Sequence, residues 1–125
     1  MAFGGYAAVF GVVDRAGDVF RAGAFGDVGA VPLLWQHGGA AVGAITAIES
    51  DACGLRVEGR VDDARVAALV RSGGLTGLSV GYRARAVRQG ARRELVAVDL
   101  VEVSLVAVPM QRRARVDFVG AAADP

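Results

Sequence analysis

The most informative segment of the chain reads Leu75-Thr76-Gly77-Leu78-Ser79-Val80-Gly81-Tyr82-Arg83. Its alternation indicates a strand with Leu78, Val80 and Tyr82 on one face. Ser79 lies on the other face, between two glycines. Glycine is costly inside a strand and often marks a close approach by a backbone or ligand, so this face is interpreted as cleared for an extended chain. Ser79 is therefore a candidate nucleophile for peptide cleavage, and the alternative is a solvent-facing serine on a weakly packed strand.

Strand-prone segments flank this one on both sides and are separated by turns rich in Gly, Asp and Pro. They cover about residues 5–13, 31–37, 42–49, 54–61, 75–87 and 94–108. One amphipathic helix is predicted from Asp62 to Ser72. The pattern predicts a mainly β (α+β) fold, with a mostly antiparallel sheet closed into a β-barrel and one or two short helices. A single domain over residues 1–125 is expected, with a tail that frays from about Gly120.

Composition excludes several kinds of site. The chain has one cysteine, Cys53, and one histidine, His37, which rules out an intrachain disulfide and a zinc site with several Cys or His ligands. We therefore expect no metal and no cofactor. The chain lacks an apolar run of about 18 residues and a secretory signal, so a soluble, cytoplasmic protein that does not engage a membrane is expected.

The basic residues are all arginines, and the formal net charge is +1. Eight of them cluster late in the chain, namely Arg83, Arg85, Arg88, Arg92, Arg93, Arg112, Arg113 and Arg115. Such a strip can bind nucleic acid or an acidic partner. The near-neutral net charge and the few aromatic residues argue against nucleic acid as a partner.

A serine hydroxyl becomes a good nucleophile only when a base takes its proton, and His37 is the one histidine available. It ends the apolar run that starts at Val31 and is followed by Gly38-Gly39. This position at the rim of a sheet favours a functional role. The alternative is a lone histidine that makes a structural hydrogen bond.

A third group should orient the imidazole, and the strand Val98-Asp99-Leu100-Val101-Glu102-Val103-Ser104-Leu105-Val106 offers two carboxylates. Alternation gives a continuous apolar face of Val101, Val103 and Leu105, with Glu102 and Ser104 on the opposite face. Asp99 lies with the apolar set at the entry of the strand, so Glu102 is favoured. The alternative is an ordinary solvent-facing glutamate. Cys53 is a rival nucleophile, but it lies in a polar turn without the clearance around Ser79.

The order of four motifs resembles the prohead protease family of tailed phages. They are Leu33-Leu34-Trp35-Gln36-His37, Gly54-Leu55-Arg56-Val57, Gly77-Leu78-Ser79-Val80-Gly81-Tyr82, and Leu100-Val101-Glu102-Val103-Ser104-Leu105-Val106 with Pro109. The resemblance implies a serine endopeptidase with a fold like that of the herpesvirus assemblin-type proteases. It also implies that Ser79 matches the nucleophile, His37 the general base, and Glu102 the acidic position that orients the histidine.

By the same resemblance, the enzyme cleaves scaffold protein or the scaffolding segment of the major capsid protein, and itself, within the assembling prohead in the host cytoplasm. A homodimer is also implied. Met110-Gln111 replaces the small residue and Asn that commonly follow the motif's proline, and the chain is short for the family. A minimal or gene-transfer-agent-like version, or a processed or truncated form, would have this length. The alternative function is a noncatalytic capsid-assembly or scaffold-binding module of the same fold.

Overall fold

A computed structural model of the protein describes residues 1–120, and the predicted frayed tail beyond Gly120 lies outside them. In chain order the elements are β1 (Ala2–Val9), β2 (Asp18–Phe20), β3 (Pro32–Trp35), β4 (Gly38–Ser50), β5 (Gly54–Val61), α1 (Ala64–Ser72), β6 (Gly77–Gln89), β7 (Arg93–Val106) and β8 (Val116–Val119). The fold is therefore mostly β with one short helix in the described part of the chain, as the sequence pattern predicted.

All eight strands belong to one sheet. Seven of them follow the order β2-β7-β3-β4-β5-β1-β8, and β6 pairs with β7. β2 and β3 run parallel to β7, while the other paired strands are antiparallel. The parallel pairing of β3 with β7 is the feature that positions the candidate site, because it sets the end of β3 beside the C-terminal end of β7, with Trp35 opposite Leu105.

The sheet is not closed into a barrel, so that part of the sequence-based prediction is wrong. Within residues 1–120, β6 meets the segment before β8 through one isolated bridge, between Gly77 and Arg115. β8 begins at Val116, is only four residues long, and pairs with β1. β8 pairs with β1 and forms no ladder with β6 in the described residues, which leaves the sheet open there.

The core draws its largest fully buried side chains from most of the strands. They are Phe3, Phe20, Leu33, Leu55, Leu78, Leu95, Leu105, Val57, Val98 and Val103, with Val66 from the helix. Leu78 and Leu105 are opposite each other in the β6–β7 ladder, and both are completely buried. The start of β6 and the end of β7 are thus held in the core, whereas the hairpin that joins these strands projects into solvent.

The helix α1 begins one residue after its N-cap. The Asp63 carboxylate accepts a hydrogen bond from the Val66 amide at 3.0 Å, which is the usual capping arrangement. Gly73 follows the helix with φ of 84°, a left-handed conformation in which glycine is favoured. Among the described residues, no helix has the length and apolar character needed to cross a membrane.

Candidate active site

His37 lies in the two-residue turn that joins β3 to β4. Trp35 pairs with Gly38, so Gln36 and His37 form the turn, with φ of 53° and 62°. Positive φ at both central residues is what a tight type I′ hairpin turn requires. Neither residue is a glycine, and a left-handed conformation then costs on the order of 1–3 kcal/mol per residue. The surrounding structure must therefore hold this turn in place.

Three hydrogen bonds from β7 and the residue after it hold the turn. The Gln36 amide donates to the Leu105 carbonyl at 3.0 Å, and the Ala107 amide donates to Gln36 Oε1 at 3.0 Å. The His37 amide donates to Ser104 Oγ at 3.1 Å. The position of His37 is thus set by β7, the same strand that carries both candidate carboxylates.

The imidazole of His37 contacts Glu102. His37 Nδ1 lies 2.5 Å from Glu102 Oε1, and because an ionised carboxylate only accepts hydrogen bonds, Nδ1 carries the hydrogen. Ser104 Oγ donates to the other carboxylate oxygen, Oε2, at 2.6 Å. The Glu102 side chain is 9% exposed and that of His37 45% exposed. Both carboxylate oxygens are thus engaged, so the buried charge is stabilised by charge-assisted hydrogen bonds.

A β-bulge interrupts β7 next to Glu102. Gly81 of β6 is opposite Glu102, whereas the next residue, Tyr82, is opposite Leu100, so Val101 has no direct partner in the ladder. Val101 is 43% exposed. The sequence-based expectation of a continuous apolar face from Val101 along the strand is wrong at this residue, because the bulge breaks the alternation.

Of the two carboxylates on this strand, Glu102 is the one that the structure places against His37. Asp99 lies on the exposed part of β7, where Arg85 Nε approaches its Oδ1 at 2.9 Å. Both of these side chains are more than half exposed, with 61% for Arg85 and 57% for Asp99. This ion pair belongs to the solvent-facing hairpin and not to the candidate site.

The glycines on both sides of Ser79 lie close to other side chains of the protein. A Cβ on Gly81 would collide with the Glu102 carboxylate, and a Cβ on Gly77 would lie 2.7 Å from the ring of Pro109. The interpretation that this face of β6 is cleared for an extended substrate is therefore wrong at both glycines. Gly81 instead allows Glu102 to lie over β6, close to the candidate nucleophile.

Ser79 is opposite Ser104 in the β6–β7 ladder, and side chains paired in this way start about 5 Å apart at Cβ. Ser79 and His37 line the same open cleft of about 440 Å³, whose other walls include Arg15, Val106, Val108 and Met110. No hydrogen bond joins Ser79 to His37 anywhere in residues 1–120. Because Nδ1 is held by Glu102, Nε2 is the ring nitrogen left to serve a group in the cleft.

The other sequence candidates lie elsewhere. Cys53 is exposed in the turn between β4 and β5, where its amide donates to Asp51 Oδ1 at 2.7 Å. It does not line the cleft of Ser79 and His37. Several arginines of the β6–β7 hairpin approach carboxylates, which lowers the net positive charge of the strip. In the described part of the chain, no group of three or more His, Cys, Asp or Glu side chains is arranged to hold a metal ion.

Two residues that matter for the geometry were not given a role from the sequence. Ser104 was expected to share a face with Glu102, but nothing in the pattern indicated that its hydroxyl links Glu102 to the backbone of His37. Gln36 anchors the turn to β7. The position of Gln36 in a two-residue turn between strands could have indicated this role. The sequence alone does not give the end of β3, and so it does not identify that turn.

Comparisons with known proteins identify the family and the fold of the chain. The family model described as caudovirus prohead serine protease matches residues 1–124. A crystal structure of KSHV protease in complex with a hexapeptide phosphonate inhibitor is similar in fold, with a TM-score of 0.60 and 14% identity over 92% of this chain and 63% of that one. A second KSHV protease structure gives a TM-score of 0.59 and 15% identity over 92% of this chain and 58% of that one.

The chain thus spans about three fifths of the length of these solved structures, 63% of one and 58% of the other. At this level of identity the likeness shows a shared fold and no more. A comparison with curated proteins gives no match.

Proposed function

Because the chain belongs to the caudovirus prohead serine protease family, we propose that it is a serine endopeptidase in which Ser79 is the nucleophile, His37 the general base and Glu102 the orienting acid. The observation that carries the proposal is the contact of His37 Nδ1 with the buried Glu102 at 2.5 Å, made beside a cleft that His37 and Ser79 line together. A histidine held by a buried carboxylate next to a serine is the arrangement that activates a hydroxyl.

The proposed reaction uses Ser79 Oγ and His37 Nε2, the atoms that are available in the cleft. Ser79 Oγ attacks the scissile carbonyl carbon while its proton moves to His37 Nε2, and the carbonyl electron pair moves onto the oxygen. When the tetrahedral intermediate collapses, the peptide C–N bond breaks, and His37 gives its proton to the leaving amine. The acyl group then remains on Ser79 until water, activated by His37 in the same way, releases it.

Glu102 has two tasks in this scheme. Its hydrogen bond from Nδ1 fixes the tautomer in which Nε2 is the acceptor, and its charge stabilises the imidazolium formed when Ser79 loses its proton. Burial strengthens both effects because the local dielectric is low. Ser104 supports Glu102, since its hydroxyl binds Oε2 and also accepts the His37 amide.

The cleft suits an extended segment of another chain. It is open, and its apolar walls include Val106, Val108 and Met110, which are side chains that can pack against a bound peptide.

For a prohead protease the substrates that fit this role are the scaffold protein or the scaffolding segment of the major capsid protein. The test is co-expression with those proteins of the same particle, followed by mass spectrometry of both the scaffold protein and the capsid protein. Processing of either one supports the proposal, and assembled proheads in which both stay uncleaved contradict it.

We expect Ser104→Ala to lower kcat by about 10- to 100-fold with little change in KM, because it removes a hydrogen bond to the charged Glu102 and frees the His37 amide. Ser104 is completely buried and does not line the cleft, so substrate binding should not depend on it. Steady-state kinetics on a cleaved peptide measure both constants.

Ser104→Thr keeps the hydroxyl and should retain more of kcat than the alanine variant. The matched control is Ser72→Ala, which removes an exposed serine that caps the end of α1 by donating to Leu69 at 3.1 Å. A positioning role for Ser104 is wrong if kcat of Ser104→Ala stays within about twofold of the parent, or if the alanine and threonine variants behave alike.

A further inference from the structure

A second, narrower pocket of about 110 Å³ opens beside Ser79 and His37. We call it the side pocket, and its walls include Phe20, Leu78, Tyr82, Met110, Gln111 and Asp14. It shares His37, Ser79 and Met110 with the larger cleft. In a serine protease, a pocket next to the nucleophile receives the side chain of the residue just before the scissile bond. The chemistry of the side pocket therefore bears on which residue that is.

Most of the side pocket is apolar. Phe20 and Leu78 are almost completely buried, and the rings of Phe20 and Tyr82 meet edge to face with centroids 5.1 Å apart. Gln111 contributes a polar group, but its amide is already used. Gln111 Oε1 accepts the Val9 amide at 2.8 Å, and Nε2 donates to the Val9 carbonyl at 2.8 Å. Gln111 is thus part of the wall and has little capacity left for a ligand.

Asp14 differs from the rest of the wall. It is 8% exposed, and its Oδ1 accepts the amides of Ala16 at 2.8 Å and Asp18 at 2.9 Å. Within residues 1–120, Oδ2 has no hydrogen bond and no basic side chain lies within ion-pair distance of Asp14, whereas Asp18 has Arg93 at 3.6 Å. Oδ2 is not among the buried atoms that lack a partner, so this oxygen is open to solvent. Its negative charge is therefore available to a positively charged group of a ligand.

The hydroxyl of Tyr82 adds a polar group to the same pocket. Burial raises the pKa of Tyr82, and the charges of Asp18 and Asp14 raise it further. The hydroxyl therefore stays neutral at physiological pH and can accept a hydrogen bond from an ammonium group. The side pocket thus combines mostly apolar walls with one negative and one polar group.

We propose that the side pocket binds a lysine side chain at the substrate residue just before the scissile bond, with its methylene stem against Met110 and the ring of Tyr82 and its ammonium at Asp14. This inference rests on the proposed serine protease function. An unbranched stem suits a small pocket with mostly apolar walls, and the three donors of an ammonium group suit a free carboxylate oxygen and a phenol oxygen. A small apolar side chain would leave the Asp14 charge uncompensated.

The test uses peptidyl phosphonate probes that differ only at this residue, with lysine, norleucine or alanine. Norleucine has an unbranched hydrocarbon side chain like the stem of lysine and lacks the charge, so it isolates the contribution of the ammonium. We expect the lysine probe to modify Ser79 about 10- to 100-fold faster than the norleucine probe, as a hydrogen bond between charged groups would give. Intact mass against time measures the rates, and peptide mapping locates the adduct.

Asp14→Asn removes the charge and keeps an oxygen that can accept the Ala16 and Asp18 amides. The ratio of the lysine rate to the norleucine rate should fall to within about threefold of unity in this variant. Asp99→Asn is the matched control, because it removes an exposed carboxylate outside the site, and its ratio should equal that of the parent. Thermal unfolding shows whether each variant is folded, and if Asp14→Asn is not, the comparison of probes on the parent decides.

The outcomes separate this inference from the function on which it rests. If a small fluorophosphonate without any such side chain labels Ser79 but the lysine probe is no faster than norleucine, the lysine assignment is wrong and the protease remains. The assignment is also wrong if folded Asp14→Asn keeps the preference. If neither the fluorophosphonate nor any phosphonate labels Ser79, the proposed function fails, and the lysine assignment fails with it.

Discussion

Ser79→Ala is expected to lower the rate of peptide hydrolysis by at least about 10⁴-fold, because no acyl-enzyme can form without the hydroxyl. Ser79 is 6% exposed and its side chain has no hydrogen bond in the described part of the chain. Removing the hydroxyl therefore breaks no hydrogen bond of the folded state, and the free energy of unfolding should change little. The loss of activity is then a loss of chemistry and not of structure.

The measurement is the cleavage of co-expressed scaffold and capsid proteins, followed by mass spectrometry, together with thermal unfolding of the purified variant. Ser72→Ala again serves as the control, since it removes an exposed serine that does not line the cleft. Processing by Ser79→Ala at more than about a hundredth of the parent rate would contradict its role as nucleophile and would favour a different nucleophile, such as Cys53.

Glu102→Gln is expected to lower kcat by about 10³- to 10⁴-fold, a loss of the size seen when the acid of such a triad becomes an amide. The new side chain nearly matches the shape of glutamate. Its amide group can donate to His37 Nδ1 and so stabilise the tautomer that carries its hydrogen on Nε2, where the Ser79 proton must be accepted. It also removes the negative charge that stabilises the imidazolium.

Steady-state kinetics and thermal unfolding measure this effect. Asp99→Asn is the matched control, because Asp99 lies on the same strand and is 57% exposed, in an ion pair with Arg85. Activity of Glu102→Gln within about tenfold of the parent would mean that the contact between Glu102 and His37 is structural. The catalytic scheme would then need a serine and histidine without an orienting carboxylate.

The residues of the candidate site could be predicted from the sequence more fully than the contacts that hold them in place. Ser79, His37 and Glu102 were singled out from alternation, from the scarcity of histidine and from the family resemblance. The contact between His37 and Glu102 depends on β3 running parallel to β7, a pairing between distant segments that local patterns do not encode. The hydroxyl of Ser104 joins the network for the same reason.

The sequence also does not predict the bulge at Val101 or the left-handed turn at Gln36 and His37. A bulge shifts the alternation by one residue, and a run of valines gives no sign of where that happens. Positive φ at two residues without glycine or asparagine goes against the usual preference for such turns. The turn persists because the strand beside it holds both of its residues.

The fold class and most strand positions were predicted because periodicity and turn residues are local signals. The prediction of a closed barrel is wrong. Closure requires the last strand to pair with β6, and β8 pairs with β1 instead. β2 and β8 were not predicted as strands. Both are very short, with three and four residues, and they are strands only because they meet partners far away in the sequence.

The central claim is that His37 activates Ser79, and the most direct test is intact mass after treatment with a small fluorophosphonate. Folded samples of the parent, Ser79→Ala and His37→Ala should be compared under the same conditions, with peptide mapping of any adduct. We expect one adduct per chain in the parent, located on Ser79 and absent from both variants. A folded, assembled parent that gains no adduct, or gains it at another residue, would contradict the claim.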